Sequence, residues 1–412
     1  MPISNERHMP QRLIGLAEAR RLVSDLAPLG GEVLSLHRAL GRVCSETVVA
    51  AASCPSTAAS LKDGFAVRST DVAAARPERP VPLKLHGTVV AGEDDALQVH
   101  PGTAVRIMTG ARIPAGANAV LASEFAVEQE GVVLARADAE PGRNILAEGA
   151  DVRAGAVVVE PGVTLQPGHL GLLAAAGLNA VQVCQLPRVV IAATGSELVA
   201  PGEPIGPGKV AASNMVTLQA ELARLGIKAD CQILRDDLDH LEQAFAPLLE
   251  DYDVVLTCGG VLDGDKDLTL AAMDHLGVEL IFHRVRMGPG KGIAMGRKGA
   301  TLIFTLPGGP PSNHIAFLIL ALPGIRRLAG FAETFPGKIT APVEQMVKGM
   351  TGWSQFVYAT LHSDEENCRP VARPFRRRRR LQAMAAAQCL IEIPEDVFRI
   401  EAGTCTTVWN IR

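Results

Sequence analysis

Between residues 187 and 328, short apolar runs alternate with segments of helical spacing, and this alternation constrains the fold more than any other feature. The runs are PRVVIAAT, KADCQIL, DVVLTC, VELIFHRV and TLIFTLP. Each is rich in Val, Ile and Leu and bounded by Gly or Asp, as strands buried on both faces are. Segments 213–225, 237–250, 267–276 and 311–328 carry the helical pattern. Such strand–helix–strand repetition predicts an α/β protein with a doubly wound, mainly parallel sheet.

The rest of the chain reads differently. Residues 15–28 show helical apolar spacing. From about 50 to 150, Val-rich runs (VPLKLHGTVVAGE, TAVRIMTG, NAVLASE, GVVLARA) are punctuated by Gly and Pro, which predicts a β-rich insert. Residues 151–180 read as a strand, a turn and a helix, and after Phe335-Pro336-Gly337 an all-β piece runs to Arg412. A chain of 412 residues has length for roughly two to four domains.

Composition removes several functions. Hydrophobic residues at 48% and charged residues at 20% exclude a disordered chain or a coiled coil. A net charge of -4 provides no basic field for nucleic acid or acidic membranes. With aromatics at 4%, stacking platforms for single strands are not expected. Arg376, Arg377, Arg378, Arg379 and Arg380 form the one basic run, which reads as a solvated loop or strand edge. The 8 cysteines form no CxxC pair, so no structural zinc site is expected and a reducing cytosol is the simplest home. The N-terminus lacks the apolar core of a signal peptide. The longest apolar stretch, residues 315–322, is too short for a bilayer span. These features predict a soluble, cytoplasmic protein.

In an open parallel sheet, ligands bind beyond the C-terminal strand ends. Three Gly-rich segments fall there: ATGSEL with Gly195, Ser196 and Glu197; TCGGVLDGDKD with Gly259 and Gly260; and LPGGPPS with Pro307, Gly308 and Ser312. Glycine lets backbone N–H groups approach phosphate, and helix N-termini favour anions. The functional reading is a phosphate-bearing ligand; the plain alternative is tight turns alone. Asp265 and Asp267 close the second loop and could hold Mg²⁺ through oxygen ligands. Asp267 serves equally well as a helix cap. Lys291, in MGPGKG, could meet a phosphate or stand on the surface. His169 lies on an expected helix, where a lone His is more often satisfied than catalytic.

These loops, together with two earlier phrases, resemble the molybdopterin molybdenumtransferase family, MoeA and the gephyrin E domain, over nearly the whole chain. Ala39-Leu40-Gly41-Arg42-Val43 is similar to the family's ALGRV. SLKDGFAVR, with Asp63, resembles SAMDGYAVR, and RIMTGA, with Thr109 and Gly110, matches outright. The three loops resemble STGDEL, SGGVSxGDxD and LPGNPVS.

The resemblance implies four domains. They are a discontinuous linker domain (1–49 and 150–180), a β insert (50–149), a molybdopterin-binding α/β domain (181–332) and a C-terminal β domain (333–412). It implies a homodimer with the active site between subunits. It implies adenylylated molybdopterin as substrate, with Mg²⁺ and molybdate; AMP leaves and molybdenum is placed on the dithiolene. Asp265 and Asp267 would hold the metal. Asp267, Asp63 and Lys291 would be the catalytic residues, Asp63, Lys291, Thr109 and Gly110 would line the substrate cleft, and the Gly loops would hold the pterin and its phosphate. A molybdopterin adenylyltransferase or a molybdoenzyme client would be a further partner.

The departures fall on polar positions. Lys62 stands for Met, Ser196 for the Asp of STGDEL, and Cys258 and Leu262 for the Ser residues of SGGVS. Gly288 stands for the first Lys of KPGKP and Gly309 for the Asn of LPGNP. Asn144-Ile145-Leu146-Ala147 aligns with an Arg-rich phrase and lacks its arginines. Two readings follow: an enzyme that inserts molybdate, or a catalytically degenerate relative that binds or carries the cofactor or pairs with an active copy. Lys62, Arg143, Arg286 and the Arg run supply cations that could compensate.

Overall fold

A computed structural model describes residues 13–92, 97–259, 268–363, 369–375 and 380–412. The chain divides into two compact units, Val33–Val183 and the pair Met1–Glu32 with Cys184–Arg412.

The larger unit is built on six strands: β1 (Val189–Thr194), β2 (Asp230–Leu234), β3 (Val254–Cys258), β4 (Glu279–His283), β5 (Ala294–Lys298) and β6 (Thr301–Leu306). Their spatial order is β2-β1-β3-β6-β5-β4. The pairings β2–β1, β1–β3 and β3–β6 are parallel, while β5 runs antiparallel to both β6 and β4. Every residue of β1, β3 and β6 is buried. Ile191, Leu256 and Phe304 pack on one face with Leu218, Leu222 and Ile325, whereas Val190, Val255 and Ile303 pack on the other with Phe245 and Leu248. The continuous apolar runs therefore serve two cores at once, which is the doubly wound arrangement the alternation predicts.

The helices follow their sequence signals. In Leu238–Asp251, Leu241, Phe245, Leu248 and Leu249 form the buried stripe, and the Asp237 side chain caps the start by accepting from the His240 N–H at 3.0 Å. The apolar stretch 315–322 lies within one continuous helical run that begins at Pro310 and ends at Leu328, with a π-turn over Phe317–Ala321. Its residues are buried, which explains why that run has no polar face. Among the described residues, no helix is long and apolar enough to cross a membrane.

A second sheet closes the larger unit, in the order Met287–Gly288, Ser354–Ser363, Cys389–Ile393, Cys405–Asn410, Lys338–Pro342. Met287 pairs with Ser354 and Gly288 with Gln355 in parallel register, so the segment carrying Lys291 begins inside this C-terminal sheet. The all-β reading of the C-terminal piece needs one correction. Arg380–Ala386 is a helix, because Leu, Gln, Met and Ala are strong helix formers and outweigh the surrounding strand pattern. Arg380 opens that helix and is not a strand edge.

In the smaller unit, six strands form one sheet in the order Ala119–Ala122, Gly64–Val67, Thr103–Ile107, Val81–Val89, Val132–Ala135, Ala126–Gln129. All four Val-rich runs contribute strands. The helix Pro167–Ala175 begins with a capping box in which His169 Nδ1 accepts from the Gln166 N–H at 3.0 Å. His169 is thereby satisfied locally.

Candidate functional site

The register of the parallel strands assembles the site. Ala193 lies opposite Cys258, and Cys258 opposite Leu306, so β1, β3 and β6 end level. Gly195, Gly259 and Pro307 follow those ends directly. The backbones then approach more closely than side chains would allow. Gly259 has φ +108°, and a Cβ there would stand 2.5 Å from the Thr194 carbonyl oxygen. A Cβ on Gly308 would meet the Gly259 Cα at 3.6 Å. Glycine at 259 is a steric requirement of this convergence.

Polar side chains hold the third loop from behind. Asn214, on the helix Ser213–Ala223, donates its Nδ2 to the Gly308 carbonyl at 2.8 Å. Asn313 donates to the Pro307 carbonyl at 3.0 Å. On the first loop, Lys209 Nζ donates to the Ser196 carbonyl at 2.6 Å, and the Val210 N–H donates to the Glu197 carbonyl. Two held loops, with Gly259 between them at the same sheet edge, form the kind of surface that cradles an anion.

A cleft of about 800 Å³ opens beside the third loop. Lys291, Ser312, Arg380 and Lys348 supply its polar lining, while Trp353, Phe356 and Phe375 supply flat apolar walls. Its volume suits a ligand of cofactor size. The structure therefore brings Lys291 and Ser312 to one cleft. Two of the sequence departures acquire a physical setting here. The space a side chain at Gly288 would enter is occupied by the Gln355 amide, 2.6 Å from where a Cβ would sit. The space above Gly309 is occupied by Arg380, whose Nη2 lies 3.3 Å from the position of a Cβ. An arginine from the C-terminal helix thus covers the loop position where the family pattern has Asn.

The smaller unit carries Asp63, Thr109 and Gly110. Asp63 Oδ1 accepts from the Thr109 N–H at 2.6 Å and from the Thr109 hydroxyl at 2.8 Å. The backbone bond, then the hydroxyl bond, hold this exposed carboxyl below the usual carboxylate range. Asp63 is consequently ionised and fixed in direction. The loop is a natural product of RIMTGA, since Gly110 takes φ +81° and turns the chain back.

Gly260, Asp265, Asp267 and Arg376 to Arg379 lie outside the described residues. Among the described residues, no group of three His, Cys, Asp or Glu side chains could hold a metal ion.

Sequence reasoning missed Asn313, His314 and Tyr358. No local signal marks His314 and Tyr358, because their partners are distant in the chain.

The sheet with its level strand ends and adjoining cleft defines a multidomain α/β protein of a class in which ligands bind beyond the strand ends. Comparison with known proteins narrows that class. Residues 14–177 match the MoeA N-terminal region (domains I and II), and residues 190–327 match a probable molybdopterin binding domain. Molybdopterin molybdenumtransferase 2 of Mycobacterium tuberculosis is 34% identical over 385 residues, covering 91% of this chain and 94% of the relative. A Staphylococcus aureus molybdopterin molybdenumtransferase is 29% identical, covering 93% of this chain and 92% of its own. The crystal structure of a molybdopterin biosynthesis MoeA protein from Pyrococcus horikoshii matches with a TM-score of 0.81 at 27% identity, covering 97% of this chain and all of that one. The chain belongs to the molybdopterin molybdenumtransferase family.

Proposed function

We propose that this protein acts in molybdenum cofactor biosynthesis and transfers molybdenum from molybdate to adenylylated molybdopterin, with release of AMP. The observation that carries the reading is the cleft itself. Flat apolar walls at Trp353, Phe356 and Phe375 meet Lys291 and Arg380 beside a glycine-loop edge. That combination suits a planar ring bearing phosphate: the ring stacks on the aromatic walls and the anion faces cations and backbone. Asp63, held ionised by Thr109, is the carboxylate we assign to catalysis. Mg²⁺ would be held by Asp265 and Asp267 and would neutralise charge on the phosphoanhydride. We extend the reading to a cytoplasmic homodimer.

A second reading is a relative that binds the pterin without completing the transfer. The filled space at Gly288 favours it, because Gln355 stands where a second lysine would enter the cleft. Lys291→Ala discriminates binding from bystander roles. Losing a charge-assisted contact to phosphate should weaken molybdopterin binding on the order of tenfold to a hundredfold. Titration of intrinsic fluorescence measures this, and unchanged affinity would remove Lys291 from the site.

A further inference from the structure

Three side chains, Tyr358 and His314 buried and Glu221 half-buried, form a continuous chain leading away from the cleft. His314 Nδ1 lies 2.9 Å from Tyr358 Oη, and His314 Nε2 lies 3.2 Å from Glu221 Oε1. Arg224 Nη1 occupies the other Glu221 oxygen at 3.2 Å and also donates to the Ile411 carbonyl at 3.1 Å. The imidazole and phenol rings stack, with 10° between their planes. His314 and Tyr358 are both buried.

The protonation pattern of this chain is fixed by its ends. Burial alone would raise the Glu221 carboxyl, but the bond and charge of His314, with Arg224, hold it below its ordinary value. Glu221 therefore accepts, and Nε2 donates to it. Burial, then the Glu221 charge, push the Tyr358 phenol well upward, so it keeps its proton.

The position of the chain matters more than its chemistry. Helix Pro310–Ala316 carries His314, and the same helix supplies Pro311 and Ser312 to one wall of the cleft. Its Asn313 also bonds the third loop at Pro307. Strand Ser354–Ser363 carries Tyr358, and it supplies Gln355, Phe356, Val357 and Tyr358 itself to another part of the lining. That strand pairs with Met287–Gly288, which leads to Lys291. The Tyr358 hydroxyl, 2.9 Å from His314 Nδ1 and 3.5 Å from the Pro311 carbonyl, thus joins the helix that follows the glycine loop to the strand paired with the lysine's segment.

We propose that Glu221, His314 and Tyr358 act as one positioning unit that sets the width of the cleft and the spacing between the third loop and Lys291. The proposal rests on the reading that this cleft takes molybdopterin. None of the three is a catalytic residue; Glu221 and His314 act through the segments they join, and Tyr358 also lines the cleft. Their role explains an acid–imidazole–phenol chain in a region where apolar packing would otherwise suffice.

Tyr358→Phe tests it, because the ring stays and only the hydroxyl is lost. Molybdopterin affinity of the full chain should fall about tenfold. Glu221→Gln keeps an acceptor for Nε2 and should retain most of the affinity, whereas Glu221→Ala should not. A structural role alone would lower the melting temperature of all three variants and leave the affinity of the folded protein unchanged, which would overturn the proposal. A ligand-free measurement separates this from the parent reading. Amide hydrogen exchange in the unliganded Tyr358→Phe protein should accelerate at residues 312–316 and 354–358. Unchanged exchange there overturns the positioning unit, even if wild type binds the pterin. Accelerated exchange in a protein whose wild type binds no molybdopterin would instead overturn the parent reading, and with it the assignment of this unit to that ligand.

Discussion

Gly259→Ala is expected to abolish tight binding of molybdopterin, while Gly308→Ala is expected to be nearly silent. The two glycines sit in adjacent loops, and their Cα atoms approach closely, yet their surroundings differ. A methyl at 259 would be forced to 2.5 Å from the Thr194 carbonyl oxygen and 3.2 Å from the Thr194 hydroxyl. The first of these atoms is backbone at the end of a fully buried strand, so it cannot swing aside. The residue also has φ +108°, outside the range that alanine accepts readily. The loop must therefore move away from β1, at a cost of about 1–3 kcal/mol in strain. A displaced loop no longer lies level with its neighbours, and affinity should fall on the order of a hundredfold. At 308, the nearest atom to a new methyl is 3.6 Å away, an ordinary contact. Titrating molybdopterin against both variants measures the contrast. Equal behaviour of the two would show that the loop edge is not where the ligand sits.

Arg20→Ala should produce the largest loss of stability in the larger unit. Arg20 lies on the first helix, and its guanidinium stands 4.7 Å from the Trp409 ring centroid and 5.9 Å from those of Phe335 and Phe356. It also donates to Glu392 at 3.1 Å, and Trp409 Nε1 donates to the same carboxylate at 2.8 Å. The Arg20 and Glu392 side chains are only 20% and 13% exposed, so removing the arginine leaves a poorly solvated carboxylate and an unfilled space among three rings. Loss of one partner of a buried pair costs about 3–5 kcal/mol, and the residual exposure places this case near 3 kcal/mol. Denaturant unfolding would register it as a lower midpoint at unchanged slope. A change below about 0.5 kcal/mol would mean the rings repack without the cation. Because Phe356 also lines the cleft, ligand affinity should fall in parallel.

The parallel sheet was legible because burial on both faces leaves a compositional mark. β1, β3 and β6 read as uninterrupted apolar runs, and Gly after each marks the turn at the ligand edge. The C-terminal helix Arg380–Ala386 was not legible as such, since four arginines precede it, a fifth opens it, and strand patterns flank it. The chemistry at Gly288 and Gly309 was legible only as loss. A sequence shows that lysine and asparagine are missing; it does not show that Gln355 and Arg380 fill the same spaces from 67 and 71 residues further along the chain. The Glu221–His314–Tyr358 chain left no trace for the same reason. Its members are 93 and 44 residues apart, and no local period links them. Asp63 and Thr109 lie 46 residues apart yet were found, because each sits in its own recognisable phrase.

The central claim is that the altered cleft still transfers molybdenum to molybdopterin. A single-turnover reaction with adenylylated molybdopterin, Mg²⁺ and molybdate tests it most directly, with AMP and finished cofactor read from the same sample. The account predicts both products in equal amounts. Pterin that stays bound while neither AMP nor cofactor forms would contradict it and would make this chain a binding or carrier member of its family.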